Sequence, residues 1–256
     1  MLLAIDVGNT HTVIGIIDDK QLIHAWRLTT QPARTGDEYG ILFRSLMEPA
    51  GIDVQALHGG IISCVVPPLL DALTSMCERT MGIDPLVVGP GIRTGIPLRV
   101  DQPHEVGADR IVNAAAAIEL HGTPAIVVDF GTATTFDPIS KEGEFLGGAI
   151  APGLQISAEA LNRKASKLPR VEFKRPKRVI GKNTVENIQS GLFFGYVGLV
   201  DGILEAMRGE MDGTPRVIAT GGLGRHFVTA SKFIEVYEEN LTLEGLRILY
   251  ERNQIT

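Results

Sequence analysis

Apolar and polar positions divide this chain into short β-like runs and helical stripes. Leu2-Leu3-Ala4-Ile5 is an unbroken apolar run that ends at Asp6, turns through Gly8-Asn9-Thr10 and resumes around Val13-Ile14. The pattern predicts a hairpin with a polar tip. Gln21 to Thr29 predicts a third strand after the polar turn Asp18-Asp19-Lys20. Ile41, Leu42, Ser45 and Leu46 have helical spacing, which predicts a helix over Gly36 to Ala50 that stops at Gly51. Gly60 to Val66 is β-branched and predicts an inner strand. Pro67-Pro68 opens a helix through Thr80, since proline is tolerated in a first helical turn. Pro85 to Val88 predicts a short strand before the turn Gly89-Pro90-Gly91. The stripe Ile111, Ala114, Ala115 and Ile118 predicts a closely packed helix with Asp109 and Arg110 at or near its first turn.

The second half opens as the first does. Ala125-Ile126-Val127-Val128-Asp129-Phe130-Gly131-Thr132-Ala133-Thr134-Thr135 repeats four apolar residues, an aspartate, an apolar residue, a glycine and then hydroxyls. Duplication at about half the chain length predicts an α/β fold of two similar domains, 1–120 and 121–256, whose hairpin tips face each other across a ligand cleft. Gly143 to Ile150 predicts a further strand, and Gly147 to Gly153 a glycine-rich passage into a helix. A long helix, capped by Thr184, runs towards Met211; Gly191, Gly195, Gly198 and Gly202 predict close helix approach at a domain or subunit contact. Arg216 to Thr220 predicts a strand leading into Gly221-Gly222-Leu223-Gly224, and Leu241 to Glu251 a closing amphipathic helix.

Composition narrows the function classes. With 256 residues, 44% apolar and 21% charged, the chain has the make-up of a soluble globular protein. Asp6 interrupts the first apolar run and no basic residue precedes it, which argues against a signal peptide. No run of about 18 apolar residues predicts a membrane span. Cys64 and Cys77 read as reduced core thiols of a cytoplasmic protein. A net charge of −6 argues against general nucleic-acid binding. The charge is uneven, however: Arg163 to Lys182 carries nine Lys or Arg against one acid, Glu172. That segment is either a solvated connection or a local field that attracts anionic substrates.

The candidate chemistry lies at the turns. Gly8 can take positive φ and admit backbone N–H groups to a ligand, while Asn9, Thr10 and Thr12 offer side-chain donors. Such a tip suits phosphate oxygens, and Asp6 beside it suits a hydrated magnesium ion; an ordinary hairpin with an Asx turn has the same pattern. Asp109 is either a helix cap or a rigidly held general base. The six histidines have no nucleophile context, and no cysteine or histidine spacing makes a structural metal site.

These residues resemble a known superfamily. Asp6-Val7-Gly8-Asn9-Thr10, the repeat from Asp129 to Thr135 and the glycines near Gly221 are similar to the phosphate and adenosine elements of the acetate and sugar kinase, actin and chaperone ATPases, a ribonuclease H-like, actin-like fold. Within it, Gly107-Ala108-Asp109-Arg110, Ser63-Cys64-Val65-Val66-Pro67-Pro68, the passage Gly147 to Gly153 and Asn240 to Leu246 resemble the type III pantothenate kinases. The resemblance implies ATP-dependent phosphorylation of pantothenate to 4'-phosphopantothenate, the first step towards coenzyme A. It implies that Asp6, Val7, Gly8, Asn9, Thr10, His11, Thr12 and Val13 hold the phosphates of Mg-ATP, with Asp6 acting on magnesium indirectly and Thr132 adding a phosphate contact. Asp129 would hold a monovalent cation, K+ or NH4+. Gly107, Ala108, Asp109, Arg110 and Thr184 would surround pantothenate, Asp109 would be the base, and the enzyme would be a cytoplasmic homodimer. The family often has a tyrosine three residues before the equivalent of Pro103; this chain has Val100 there. A kinase for another small hydroxy acid and a non-catalytic nucleotide-sensing regulator are the alternative readings.

Overall fold

The computed structural model describes residues 1–165 and 168–254. Leu2–Val7 (β1) and His11–Asp18 (β2) form the first hairpin, and Gln21–Thr29 (β3) extends it antiparallel. Gly59–Cys64 (β4) then pairs parallel with β1, and Pro85–Val87 (β5) parallel with β4, giving the sheet order β3-β2-β1-β4-β5. Ala125–Phe130 (β6), Ala133–Ile139 (β7) and Ala149–Pro152 (β8) repeat the antiparallel meander. Arg216–Thr220 (β9) and Val236–Tyr237 (β10) repeat the parallel pair, in the order β10-β9-β6-β7-β8. The two sheets share one topology, so the duplicated motif marks a duplicated fold. Each carboxylate holds the same place in its sheet. Asp6 is in register with Val13 and Ser63, and Asp129 with Thr135 and Thr220.

The chain divides into two units. The first holds Met1–Ile96, Asp101–Glu119 and the segment from Asn240 onward; the second holds Pro97–Val100 and Leu120–Glu239. The expected division at 120 therefore leaves out two exchanges, Pro97–Val100 into the second unit and the segment from Asn240 into the first. The C-terminal helix Leu241–Gln254 (α7) packs on β1 and β4 because its buried Leu243, Leu246 and Leu249 cover the apolar face of that sheet.

In the first unit, Gly36–Met47 (α1) starts at a capping box: Thr35 Oγ1 accepts from Glu38 N and Glu38 Oε2 accepts from Thr35 N. Pro67–Met76 (α2) runs into a wider turn, Cys77–Met81, closed by Gly82 at φ 70°. Both helices cover Leu3, Ile5, Val7 and Ile62. On the other face, α7 meets Ala108–His121 (α3) closely. A Cβ at Gly245 would lie 2.1 Å from Val112 O, and Thr242 Oγ1 donates to Asn113 Oδ1 at 2.8 Å. Only glycine permits that approach.

In the second unit, Leu154–Lys164 (α4) and Thr184–Glu210 (α5) flank a core in which Phe130 stacks on Phe227 at 4.8 Å between ring centroids. Arg225–Val228 (α6) is one short turn that the sequence pattern does not announce. The strand expected over Gly143 to Ile150 is instead β8, because Gly147 and Gly148 take φ of 104° and 147° and break extended pairing. The cap of α5 is Asn183, not Thr184: Asn183 Oδ1 accepts from Glu186 N at 2.9 Å. By length and composition α5 could cross a bilayer, contrary to expectation, yet its Phe193, Tyr196, Val200 and Leu204 are buried in the core of the second unit.

Candidate active site

In the first unit, the β1–β2 tip is a braced structure. Gly8 N donates to His11 O at 2.9 Å, Thr30 N donates to Thr10 O at 3.0 Å, and Thr30 Oγ1 donates to Gly8 O at 2.7 Å. Thr12 Oγ1 and Thr30 Oγ1 share a hydrogen bond of 3.0 Å. Thr12 is fully buried, so its hydroxyl braces the tip. Gly8 is not at positive φ. What it supplies is room, since a Cβ there would sit 3.2 Å from His11 O. Asn9, Thr10 and His11 are exposed at the tip, Val13 is half-buried, and Val7 is buried in the core behind it. Desolvation, then the nearby Arg27, hold the His11 imidazole below its ordinary pKa, so it is neutral at physiological pH. Thr30 was not singled out by sequence; a hydroxyl ending the third strand beside Thr12 is the signal that marks it.

Asp6 is half-buried at the carboxyl end of β1, where parallel strands collect ligands. No group of three or more His, Cys, Asp or Glu side chains able to hold a metal occurs among the described residues. One carboxylate near the exposed Thr10 hydroxyl fits magnesium that keeps its waters and is carried by phosphates, rather than an all-protein cage.

Asp109 lies in the first turn of α3, the helix that α7 ties to the same face of the first sheet as Asp6. Its Oδ1 accepts from Arg110 N at 2.9 Å, and a Cβ at Gly107 would sit 2.6 Å from that oxygen. Gly107 thus makes room for the carboxylate, and Ala108 begins the helix. Desolvation raises the Asp109 pKa above the ordinary value, opposed by the Arg110 N–H and the Arg110 charge. A half-buried carboxylate lifted in this way is a better proton acceptor than an exposed one. The cap-like bond and the raised basicity belong to the same side chain.

In the second unit, Asp129 faces glycine backbone. A Cβ at Gly221, which takes φ 85°, would sit 2.5 Å from Asp129 Oδ1, and Tyr237 OH donates to Gly221 O at 3.1 Å. A carboxylate beside bare glycine backbone offers the hard-oxygen chemistry that suits a monovalent cation. Thr132 is exposed at the β6–β7 tip, and its carbonyl accepts from Gly153 N at 3.1 Å. Gly153 precedes α4 with no side-chain cap, so the N-terminus of α4 lies against the tip. A cavity of about 550 Å³ adjoins it, lined by Leu154, Gln155, Phe173, Ile188 and Leu223. Thr184 is exposed as the first residue of α5, and Val100 lies against Gly147, 3.6 Å from where a Cβ would stand.

The basic segment is tethered rather than loose. Gln189 Nε2 donates to Glu172 O at 3.0 Å, Ser190 Oγ donates to Val179 O, and the Arg175 guanidinium lies 5.5 Å over the Phe193 ring. Lys174, Arg175, Lys177 and Arg178 line a depression of about 820 Å³. Ser166 and Lys167 of this segment lie outside the described residues.

Comparison with known proteins sets these features in a family. The family model of the type III pantothenate kinases matches residues 2–206. The type III pantothenate kinase of Geobacter sulfurreducens is 57% identical over 254 residues, covering 99% of this chain and 100% of that protein. The type III pantothenate kinase of Halalkalibacterium halodurans is 51% identical over 253 residues, again with 99% and 100% covered. Among solved structures, the activator of 2-hydroxyisocaproyl-CoA dehydratase from Clostridium difficile, with bound ADPNP, superposes with a TM-score of 0.59 at 10% identity, covering 99% of this chain and 94% of that one. The polyphosphate/ATP-glucomannokinase from Arthrobacter superposes with a TM-score of 0.51 at 12% identity, covering 100% and 99%. Those distant likenesses show the shared α/β fold, and the close ones show that this chain belongs to the type III pantothenate kinase family.

Proposed function

We propose that this protein transfers the γ-phosphoryl group of ATP to the hydroxyl of pantothenate, giving 4'-phosphopantothenate and ADP, as the first step towards coenzyme A. The observation that carries the reading is Asp109, a half-buried carboxylate of raised pKa fixed by Gly107 and the first turn of α3 in a chain of this family. Gly107, Ala108 and Arg110 hold the acceptor, and Asp109 takes the proton of the attacking hydroxyl; Thr184, in the second unit, is a further candidate substrate contact. As the new O–P bond forms, the bond to the β-phosphate breaks and ADP leaves with the electron pair. Phosphoryl transfer asks mainly for positioning and charge neutralisation. In the first unit the exposed Asn9 and Thr10 and the tip N–H groups supply donors for the phosphates, with Thr12 and Thr30 stiffening that tip; Thr132 is a further candidate phosphate donor within the second unit. The cavity reaching Leu223 has the volume and apolar lining for the nucleotide base. Asp6 would hold the magnesium that ATP carries, which would supply neutralisation of phosphate charge, and Asp129 would hold potassium or ammonium.

The protein acts as a homodimer in the cytoplasm. Gly191, Gly195, Gly198 and Gly202 form an exposed face of α5, and a Cβ on any of them would meet nothing within 4 Å, so close approach of a second copy is what their size serves. Free Cys64 and Cys77 suit a reducing compartment. The test is ADP release against a panel of small hydroxy acids in potassium and in sodium. Pantothenate should be preferred. Preference for a different hydroxy acid would follow if Val100 has changed the substrate, and no turnover with any acid would leave the nucleotide-sensing alternative.

A further inference from the structure

The duplicated fold allows one half to serve as a reference for the other. Ser63 on β4 and Thr220 on β9 hold equivalent places, each in parallel register with the carboxylate of its own sheet, Asp6 or Asp129. In-register neighbours on parallel strands point to the same face. Both hydroxyl residues are buried, at 0% and 2% exposure. Their surroundings differ. Thr220 Oγ1 donates to Glu238 O at 2.7 Å, the bond expected of a buried hydroxyl. Ser63 Oγ has no hydrogen-bond partner among the described residues. A buried hydroxyl without a partner opposes folding, and alanine or cysteine would fill the same space without that cost. The residue on the other side of the strand sequence, Cys64, does find one, donating from Sγ to Val66 O at 3.2 Å.

We propose that Ser63 is a positioning residue for the nucleotide-borne divalent cation: its hydroxyl, in register with Asp6, accepts a hydrogen bond from a water of the hydrated ion that Asp6 holds. The inference rests on the proposed ATP-dependent reaction. A hydrated magnesium ion keeps several waters, each a strong donor needing an oxygen acceptor, and one carboxylate cannot serve them all. Ser63 contributes an acceptor already desolvated and fixed by the sheet. A water of that hydrated ion would give the Ser63 hydroxyl the partner that no described protein group gives it.

The experiment compares Ser63→Ala with the unaltered protein in two readouts. Calorimetric binding of a non-hydrolysable ATP analogue should weaken roughly tenfold in saturating magnesium, the effect of losing one charge-assisted hydrogen bond, and should be unchanged in EDTA. The magnesium concentration for half-maximal activity should rise with it. The melting temperature without ligand should stay level or rise, while Thr220→Val, which breaks a made bond, should lower it. Equal magnesium-dependent affinity in Ser63→Ala overturns the proposal. So does a lowered melting temperature or failure to fold, because either means the hydroxyl is satisfied within the protein. If the unaltered protein itself binds no magnesium nucleotide, the ATP-dependent reading fails first and takes this inference with it.

Discussion

Asp109→Asn separates catalysis from helix capping, because the two roles forecast opposite results. Asparagine keeps the size of the side chain and an Oδ1 that can accept the Arg110 N–H now held at 2.9 Å, so the start of α3 should survive. What is lost is the proton acceptor. General-base loss costs on the order of 10²–10⁴ in rate, or about 3–5 kcal/mol of barrier. Stability should move the other way. Desolvation raises the Asp109 pKa in the folded chain, so the native state binds the proton more tightly than the unfolded one. Ionised Asp109 therefore destabilises the fold: the cost is absent below the unfolded carboxylate value, grows as pH rises to the raised native value, and is constant above it. Loss of the attraction between its charge and the helix N-terminus, about 0.3–1 kcal/mol at exposed sites, works against this, but desolvation is the larger influence here. The variant should thus melt at or above the temperature of the unaltered protein at pH 7, with the difference shrinking in acid. The assay is kcat at saturating Mg-ATP and pantothenate, beside calorimetric melting from acid to neutral pH. A folded Asp109→Asn protein with near-normal kcat refutes the base assignment.

Replacing sodium by potassium or ammonium should raise kcat/KM, and Asp129→Asn should erase that difference; equal rates of the unaltered protein in all three salts would contradict a cation at Asp129. Neutralising Lys174, Lys177 and Arg178 together should lower kcat/KM more at low than at high salt if the basic depression steers anions. Arg175 is left in place there because it packs on Phe193, and a loss independent of salt would mean a contact role. Gly195→Leu meets open space within the chain and gains helix propensity of roughly 0.5–1 kcal/mol. It should therefore leave a folded subunit that sediments as a monomer with reduced activity, and a fully active dimer would remove α5 from the interface.

Much of this fold was legible because its signals are local. Asp6 and Asp129 each end an apolar run, and the repeat of that run predicted two sheets that share one strand order. The Thr35 to Glu38 box and Pro67 start helices where the pattern says they should. What escaped depends on partners distant in sequence. The return of α7 to the first sheet follows from where Leu243 and Leu246 find an apolar face, not from their own periodicity. The bond that Thr12 makes with Thr30, eighteen residues away, is invisible to the local pattern. The same limit applies at Asn183, where side-chain geometry chose between two adjacent capping residues. Ser63 was visible only as part of a family motif, and its significance lies in a comparison with Thr220 that register alone supplies.

The central claim is a phosphoryl transfer to pantothenate with Asp109 as base. Its most direct test follows the label from γ-phosphate-labelled ATP in the presence of pantothenate, magnesium and potassium, using the unaltered protein and Asp109→Asn in parallel. The account predicts labelled 4'-phosphopantothenate, formed in step with ADP by the unaltered protein and slowed by at least about a hundredfold in the folded variant. Label released only as inorganic phosphate, or transferred equally well by both proteins, would contradict it.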